Sequence, residues 1–496
     1  MNYHFGRFRL DAASYRLLRD EAVVSLSAKL VDLLIYFVTH PGRLVTKEEL
    51  FGAIWPDVTV TDNALTQAIS DLRHALGDDP SASQYIQTVA RRGYRFVAPV
   101  TMDEVSPKAP EVHASSHETS SLEAYRAYTE GRLKLETLDR ARIQEAMVDF
   151  ERALSHDPLY PLAFTGLAAS HFLLYEASRP RTQPDTGLLT RAIGYARRAA
   201  DLAPELGEAH AMLAFMLVSA DRPQEALAAG RRAVALEPND WRHQFRLGHA
   251  AWGEERLQAL DRALRLFPDL PFAHFEIAMV RIARGEIHEA EGVLREGVLV
   301  LGRHRRQSWR FPASGLHWLL GTVLLARGAR DEAQGEFEAE LAGANPATIY
   351  GAEFVMNAYD GLGFAHLDGR DVDAALEAFD RSLDLYPDHA RAVVGRTLAF
   401  RGAGDRARAD AEAARARQTI DALQRGGRRT ESSIMEAALG LLDDHLTDAT
   451  AILLRLLNDS PPGFAGWMIP VDPLLGALRR SDAAAAVFAR LAERAR

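Results

Sequence analysis

The sequence of 496 residues contains no cysteine. This absence excludes a disulfide framework, a zinc site built on thiolates and a thiol nucleophile. No apolar run approaches the roughly 20 residues needed to span a bilayer, and the longest, residues 316–326, falls well short. The N-terminus lacks the basic and then apolar pattern of a signal peptide. We therefore expect a cytoplasmic protein without a membrane segment.

Motifs of catalysis are also missing. The sequence has neither a phosphate-binding glycine loop nor a zinc-protease helix motif, and its histidines and carboxylates are scattered without a convergent pattern. His113 and His117 have a spacing that metal ligands can use, but no residue nearby completes a site. A receiver domain for aspartyl phosphorylation is absent as well. We predict a protein that is not an enzyme and carries no cofactor or metal.

A short amphipathic helix is predicted for residues 62–76. Asp62 is a good N-cap, and Gly77 follows the last periodic residue as a stop. One apolar stripe, at steps of four, three and four, is formed by Leu65, Ile69, Leu72 and Leu76. The other face carries short hydrogen-bonding side chains, namely Asn63, Thr66, Gln67, Ser70, Asp71 and His74. Such side chains can read base edges in the major groove, although an ordinary surface helix would fit this pattern equally well.

A two-stranded ribbon is predicted to follow this helix. Residues 84–90 and 94–98 are strand-like, and Arg91-Arg92-Gly93 forms the turn between them. Gly93 can supply a positive φ there. Arginines at the tip of such a ribbon suit a phosphate or a narrow minor groove. The alternative is a plain hairpin whose charges are solvated.

These segments resemble a known family. The stretches "SAKLVDLLIYFVTHPGRLVTKEELFGAIWPDV", "DNALTQAISDLRHALGDD" and "YIQTVARRGYRFVAPV" make residues 3–100 similar to the OmpR/PhoB-type winged-helix DNA-binding domain of bacterial transcriptional regulators. The resemblance implies that residues 62–76 are the recognition helix and that residues 56–61 form a loop that can touch RNA polymerase. It also implies a wing that carries Arg91, Arg92 and Arg95, and we add Tyr94 to this predicted DNA contact. Many members have a basic pair in the middle of the recognition helix, but here these positions are Ser70 and Asp71. Ser and Asp also occur there in the CadC-like subgroup. The base preference is therefore left open.

The charge of the N-terminal domain is balanced. Residues 1–100 hold eleven Lys and Arg against eleven Asp and Glu, so the net charge of −10 belongs to the rest of the chain. DNA-binding domains are usually basic. The phosphate contacts would then depend on a few placed residues, namely Lys47, Arg73, Arg91, Arg92 and Arg95. We expect modest affinity per monomer and a need for dimers or paired sites.

Residues 101–121 are rich in Pro, Ser and acidic residues and are predicted to be a linker.

From Leu122 a helical repeat appears, with Ala, a second Ala seven residues later and Pro five residues after that, as in Ala146, Ala153 and Pro158. This pattern resembles the tetratricopeptide repeat of about 34 residues, in which small residues allow close helix packing. We assign residues 122–430 to the solenoid, with eight units between residues 122 and 417, and residues 431–496 to its helical cap.

Such a solenoid has a groove that suits a partner. Candidate groove residues are Tyr125, Tyr128, His171, Tyr175, Phe215, Trp241, Phe245, His249, Trp252, Phe275, Trp318 and Tyr359, most of which we expect to serve packing. A basic cluster, which could hold an anion or simply be a solvated loop, comprises Arg303, His304, Arg305, Arg306 and Arg310.

The sequence thus predicts a mainly α protein, in which an N-terminal α+β winged helix-turn-helix domain precedes an α-helical solenoid. We interpret it as a regulator that binds double-stranded DNA, with RNA polymerase, a second copy, and a protein or ligand at the repeat groove as further partners. Two alternatives stay open. The winged domain could instead bind protein within a scaffold, or the repeats could serve as a regulatory platform for an enzyme.

Overall fold

The computed structural model describes residues 2–11, 16–20, 22–24, 26, 28–54, 62–79, 82–89, 92–102, 119–181, 183–306 and 313–496. The chain divides into two compact units, Met1–Val112 and His113–Arg496. No helix in these described ranges is long and apolar enough to cross a membrane.

The first unit opens with an antiparallel sheet, in which apolar and polar residues alternate along the first two strands. Its strands are β1 Asn2–Phe5, β2 Phe8–Asp11, β3 Arg16–Arg19 and β4 Ala22–Val24, and β8 Thr101–Met102 lies beside β1 to give the order β4-β3-β2-β1-β8. Tyr3 pairs with Met102 and His4 with Thr101. Residues 101 and 102, which we assigned to the linker, therefore belong to the sheet.

Three helices pack on the core of this unit. They are α1 Ala28–Thr39, α2 Lys47–Ile54 and α3 Asp62–Leu76. The bounds of α3 match the predicted helix, and its predicted apolar stripe is 4% exposed or less at every position. Phe37 of α1 stacks near Phe96, whose ring meets Phe5 edge to face at 5.2 Å. The aromatic core fixes the inner face of α3, so its opposite face is left to solvent.

The wing is a second, three-stranded antiparallel sheet. Its strands are β5 Leu44–Thr46, β6 Ile86–Val89 and β7 Gly93–Phe96, in the order β5-β7-β6. Gly93 has φ of +141°, and a Cβ there would overlap the carbonyl oxygen of Val45. The glycine therefore allows both the turn and the close approach of β5 to β7.

The second unit is an array of helical hairpins. The pairs are α4 Leu122–Leu135 with α5 Arg140–His156, α6 Pro161–Ser178 with α7 Thr186–Leu202, α8 Gly207–Ser219 with α9 Pro223–Leu236, α10 Trp241–Ala250 with α11 Glu254–Leu266, α12 Pro271–Ala283 with α13 Ile287–Arg306, α14 Leu316–Ala326 with α15 Arg330–Gly343, α16 Gly351–Asp368 with α17 Val372–Leu385, α18 Ala390–Gly402 with α19 Arg406–Arg425, and α20 Arg429–Leu442 with α21 Leu446–Asp459. The last pair lies in the segment that we assigned to the cap. Two short helices, α22 Gly476–Arg479 and α23 Ala485–Arg494, complete the chain.

The small residues of the repeat pattern are buried as predicted. Ala146 and Ala153 are fully buried, and Pro158 lies two residues beyond the end of α5. Three phenylalanines of second helices are each held between glycines of two successive first helices: Phe150 by Gly131 and Gly166, Phe337 by Gly321 and Gly361, and Phe379 by Gly363 and Gly395. The absent Cβ atoms make room for the rings, which lets neighbouring hairpins stack closely.

This packing predicts a cost for a single methyl group. A Cβ at position 395 would lie 2.5 Å from Cζ of Phe379, so we expect Gly395→Ala to destabilise the repeat region by about 1–3 kcal/mol. Gly292→Ala in α13, where a Cβ would meet no atom within 4 Å, is the matched control and should stabilise by up to about 1 kcal/mol. Denaturant unfolding measures both, and equal effects would contradict the packing account.

Candidate nucleic-acid interface and repeat groove

The outer face of α3 presents a row of short polar side chains. Of the predicted base-reading residues, Thr66, Gln67, Ser70, Asp71 and His74 are all exposed. Asn63 lies in α3, but its side chain is outside the described part of the chain. The amide nitrogen of Gln67 donates to Oδ1 of Asp71 at 2.7 Å, one helical turn away. This bond orients the Gln67 amide and gives the Asp71 carboxylate one hydrogen-bond donor on the face that would meet DNA.

The end of α3 is fixed by backbone bonds. Gly77 has φ of +67°, its N–H donates to the carbonyl of His74, and the N–H of Asp78 donates to the carbonyl of Arg73 at 2.9 Å. These two bonds are those of a Schellman stop. The predicted stop at Gly77 is thus confirmed.

Arg73 does not take the position that we expected. Its side chain is 8% exposed, and Nη2 donates to the carbonyl of Ile86 at 2.6 Å and to Oγ1 of Thr88 at 2.8 Å. Because the guanidinium makes these hydrogen bonds within the domain, Arg73 joins α3 to β6 instead of reaching a phosphate. Tyr94 likewise departs from the expectation, because it is 5% exposed and belongs to the hydrophobic core.

Asp78 is a residue to which sequence reasoning gave no role. Its carboxylate is buried and accepts from the backbone N–H groups of Gln84 at 2.6 Å, Tyr85 at 3.1 Å and Ile86 at 2.8 Å. Together with Arg73, it fixes the start of β6 to the end of α3. The only sequence feature that could have pointed to Asp78 is its position directly after Gly77, the glycine that ends α3.

The remaining basic candidates are few. Arg92 is exposed beside β7, and Arg95 within β7 is half-buried. Lys47 is the first residue of α2, next to Thr46, whose Oγ1 accepts from the N–H of Glu49 at 3.1 Å as in a capping box. Arg91, the loop of residues 56–61, and both His113 and His117 lie outside the described residues.

The groove of the repeat region is occupied by the chain's own C-terminal segment. The ring of Phe464 lies 5.5 Å from that of His249, 5.6 Å from that of Trp252 and 4.4 Å from the Arg256 guanidinium carbon. Trp467 packs edge-on against Phe275 of α12 at 6.4 Å. Three of the predicted groove residues therefore contact residues 464–467 instead of an open groove.

Polar contacts hold the same segment further along. Both oxygens of the buried Asp472 carboxylate accept from Arg391 of α18, at 2.9 and 2.7 Å. At the chain end, the carbonyl of Arg496 accepts from the N–H of Glu254 at 2.9 Å, and that of Ala495 accepts from Arg284 at 2.8 Å. The segment thus crosses the first helices from α10 to α18 and returns to α11.

A buried ion pair lies beneath Phe464. Glu276 of α12 accepts from Nδ1 of His249 at 2.6 Å and pairs with Nη1 of Arg256 at 3.0 Å. Burial alone would raise the pKa of the Glu276 carboxyl, but Arg256 and His249 outweigh burial and lower that pKa to about 2.

This lowered pKa predicts an acid-dependent loss of stability. Because the folded-state pKa of Glu276 lies below its ordinary value of 4.5, its contribution is present above pH 4.5 and is lost as the pH falls towards 2. We expect the stability difference between the native chain and Glu276→Gln to shrink by about 3 kcal/mol over that window. Denaturant melts at several pH values measure it, and a constant difference would contradict the ion pair.

Two other polar clusters have ordinary structural roles. Ligand-type atoms of Glu237, Asp240 and His243 lie within 4.8 Å of one another. Nε2 of His243 donates to Glu237 at 2.8 Å, however, and Asp240 caps α10 by accepting from the N–H of Arg242. Of the predicted basic cluster, Arg303 pairs with Asp269 at 3.3 Å, and the other side chains lie outside the described part.

Comparison with known proteins agrees with this geometry. Residues 20–96 match the family described as "Transcriptional regulatory protein, C terminal". The transcriptional activator CadC of Escherichia coli (strain K12) is 34% identical over 96 residues, which are 19% of this chain and 19% of CadC. The chain thus matches about a fifth of the length of that relative.

Solved structures resemble each unit separately. The Klebsiella pneumoniae RstA DNA-binding domain, in complex with RstA box, is 28% identical with a TM-score of 0.18, covering 19% of this chain and 96% of that one. A tetratricopeptide repeat protein from Parabacteroides merdae is 15% identical with a TM-score of 0.38, covering 55% of this chain and 99% of that one. Residues 20–96 thus match the C-terminal domain family of transcriptional regulatory proteins, and an array of helical hairpins follows them in this chain.

Proposed function

We propose that the chain is a transcriptional regulator that binds duplex DNA through α3 and the wing. One observation carries this proposal: α3 exposes a row of short hydrogen-bonding side chains while Arg73 and Asp78 tie the helix to β6. A helix and a ribbon held in one fixed relation can enter a major groove and contact the adjacent backbone together. Tethers of this kind therefore set the register of the domain on DNA.

In this mechanism α3 lies in the major groove, and Arg91 and Arg92 contact phosphate or the minor groove. Residues 56–61 would be available to RNA polymerase. The repeat region would set promoter occupancy in the cytoplasm by binding a protein or ligand. Because residues 464–472 fill the groove from α10 to α18, such a partner would bind elsewhere on the repeats or displace this segment.

Gln67 is the residue that we expect to contribute most to base preference. Its bond to Asp71 leaves one amide hydrogen and the carbonyl oxygen free, which is the pair of groups that recognises N7 and N6 of adenine. We expect Gln67→Ala to weaken binding to the preferred site by about 10-fold or more without changing non-specific binding. Gln334→Ala in α15, which removes a similar bond to Glu338, is the control. Equal site preference in both variants would contradict this role.

The proposal is tested by the salt dependence of DNA binding. For the full-length protein, the logarithm of the association constant should fall as the logarithm of the salt concentration rises. Arg92→Ala should reduce the magnitude of the slope of this line by about 1. Arg381→Ala, an exposed arginine of α17, should leave the slope unchanged. Binding that does not depend on salt would exclude phosphate contacts.

The balanced charge of residues 1–100 favours one other candidate, a scaffold whose winged domain binds protein. That function requires a stable protein partner that is retained by the winged domain and no retention of duplex DNA at low salt. Loss of DNA binding in Arg92→Ala with unchanged helicity would exclude it.

A further inference from the structure

Exposed apolar side chains are concentrated in the first hairpin of the repeat region. Among the described residues, seven large apolar side chains are exposed, and five of them belong to α4, α5 and the turn that follows, namely Leu122, Tyr125, Leu133, Val148 and Leu159. Elsewhere on the repeats only Leu299 is comparable among the described residues. A concentration of this kind marks a surface that another molecule covers.

Three of these residues form a stripe on α4. Leu122, Tyr125 and Leu133 recur at spacings of three and eight, so they lie on one side of the helix, with the exposed Thr129 between them. The opposite side is buried against the neighbouring helices and comprises Ala124, Ala127, Tyr128 and Gly131. In the described part of the chain, no helical hairpin of the repeat array precedes α4. Each later first helix packs against the preceding hairpin, and the outer stripe of α4 lacks such a neighbour.

The charges beside this stripe identify the partner. Arg126 and Glu130 are exposed, lie one turn apart and flank the stripe on the same side. When two such helices pair antiparallel about a two-fold axis, Arg126 of each copy lies beside Glu130 of the other, and Leu122 lies against Leu133. Glu130 also pairs with Arg152 of α5 within its own chain, so Arg126 of the second copy would share this carboxylate with Arg152. A surface that is complementary to itself in this way suits an isologous contact between identical chains.

We infer that α4 is a self-association surface, which pairs antiparallel with α4 of a second copy of the chain. A contact made by one pair of 14-residue helices is smaller than the ~1,200 Å² of stable interfaces. The dimer is therefore weak and dissociates on dilution. The dimer carries two winged domains. When both bind half-sites on one duplex, the two copies are held at a high effective concentration, and this strengthens the dimer.

Charge reversal in the full-length protein tests this pairing directly. Arg126→Glu makes both flanking positions acidic, and Glu130→Arg makes both basic. Each variant alone should dissociate more readily than the native chain, by about 3- to 10-fold in sedimentation equilibrium. An equimolar mixture of the two should recover native-level association, because each copy then meets the opposite charge. A mixture that stays as dissociated as the single variants would overturn the antiparallel arrangement.

A second pair of variants tests the apolar stripe. Leu133→Asp should abolish association, while Leu299→Asp, at an exposed position of α13, should leave it unchanged. Thermal melts followed by circular dichroism must match that of the native chain, since Glu130 also pairs with Arg152 in the folded chain. A native chain that remains monomeric at the highest attainable concentration would overturn the inference and favour a different protein as the occupant of α4.

Discussion

Asp78→Ala should lower the free energy of unfolding of the winged domain by about 3–5 kcal/mol. The carboxylate of Asp78 accepts from three backbone N–H groups, of Gln84, Tyr85 and Ile86, and its side chain is 6% exposed. Removing it leaves these donors without their acceptor, and each buried, unsatisfied donor costs about 1–3 kcal/mol. Because the same bonds hold β6 to the end of α3, DNA binding should fall along with stability.

Hydrogen exchange of the peptide that spans residues 82–89 measures this effect locally, and a denaturant melt measures it globally. Gln87→Ala is the control, since Gln87 is exposed on β6 within the same peptide. A surface substitution of this kind should change stability by less than about 0.5 kcal/mol. Asp78→Asn keeps one acceptor oxygen and should fall between the two. Indistinguishable behaviour of Asp78→Ala and Gln87→Ala would refute the assigned role.

Arg256→Leu should destabilise the repeat region by about 3–5 kcal/mol, since breaking a buried ion pair leaves an uncompensated charge. Arg256 is fully buried, and its Nε donates to the carbonyls of Gly248 at 2.9 Å and Ala251 at 3.0 Å. Its Nη2 donates to the carbonyl of His249 at 2.8 Å, and its Nη1 pairs with Glu276. The substitution removes these four partners at once, together with the contact of Nη1 with Sδ of Met279 at 3.9 Å.

The same substitution should loosen the C-terminal segment. The Arg256 guanidinium lies between Trp252 and Phe464, at 4.7 and 4.4 Å from their ring centres. Hydrogen exchange of residues 461–470 should therefore accelerate in Arg256→Leu. Arg231→Leu, which removes an exposed ion pair to Glu255, is the control and should cost less than about 1 kcal/mol.

The Arg256→Leu/Glu276→Leu double variant separates charge from packing. It should be more stable than Arg256→Leu alone, because the unpaired carboxylate is gone. If the double variant is as unstable as the single variant, the buried charge is not the source of the loss.

Local signals account for what the sequence predicts well. The bounds of α3 follow from an apolar period of 3.6 and from Gly77, whose positive φ ends the helix within one turn. The repeat hairpins are predicted by two features of the sequence. Alanines recur where helices cross and only a small side chain fits, and prolines stand just beyond the second helices. Each of these constraints acts within about 15 residues, so a single sequence contains it.

Two predicted DNA contacts, Arg73 and Tyr94, are buried for a common reason. Arg73 was expected to reach a phosphate because of its charge, yet it lies four residues after Ile69 and three before Leu76, which places it beside the buried stripe. Tyr94 was added to the predicted DNA contact of the wing, yet it pairs with Val45 and Thr88 in the middle strand of the sheet. In both cases the position in the packed sheet and helix, and not the chemical type of the residue, decides the burial.

The occupied groove has no local signal in the sequence. Phe464 and Trp467 contact residues about 200 positions earlier, His249 and Phe275. Whether such aromatic residues meet each other or an outside partner depends on the curvature of the array, which accumulates over many hairpins. Sequence reasoning therefore identifies groove residues without identifying what fills the groove.

Selection from random duplex DNA by the full-length protein, at two salt concentrations, tests the central claim most directly. A regulator that reads bases through α3 should enrich one motif, with an adenine whose enrichment disappears in Gln67→Ala, and should retain less DNA at the higher salt. If no motif is enriched at either salt concentration and the retained DNA does not depend on salt, the winged domain does not read DNA and the proposed function is wrong.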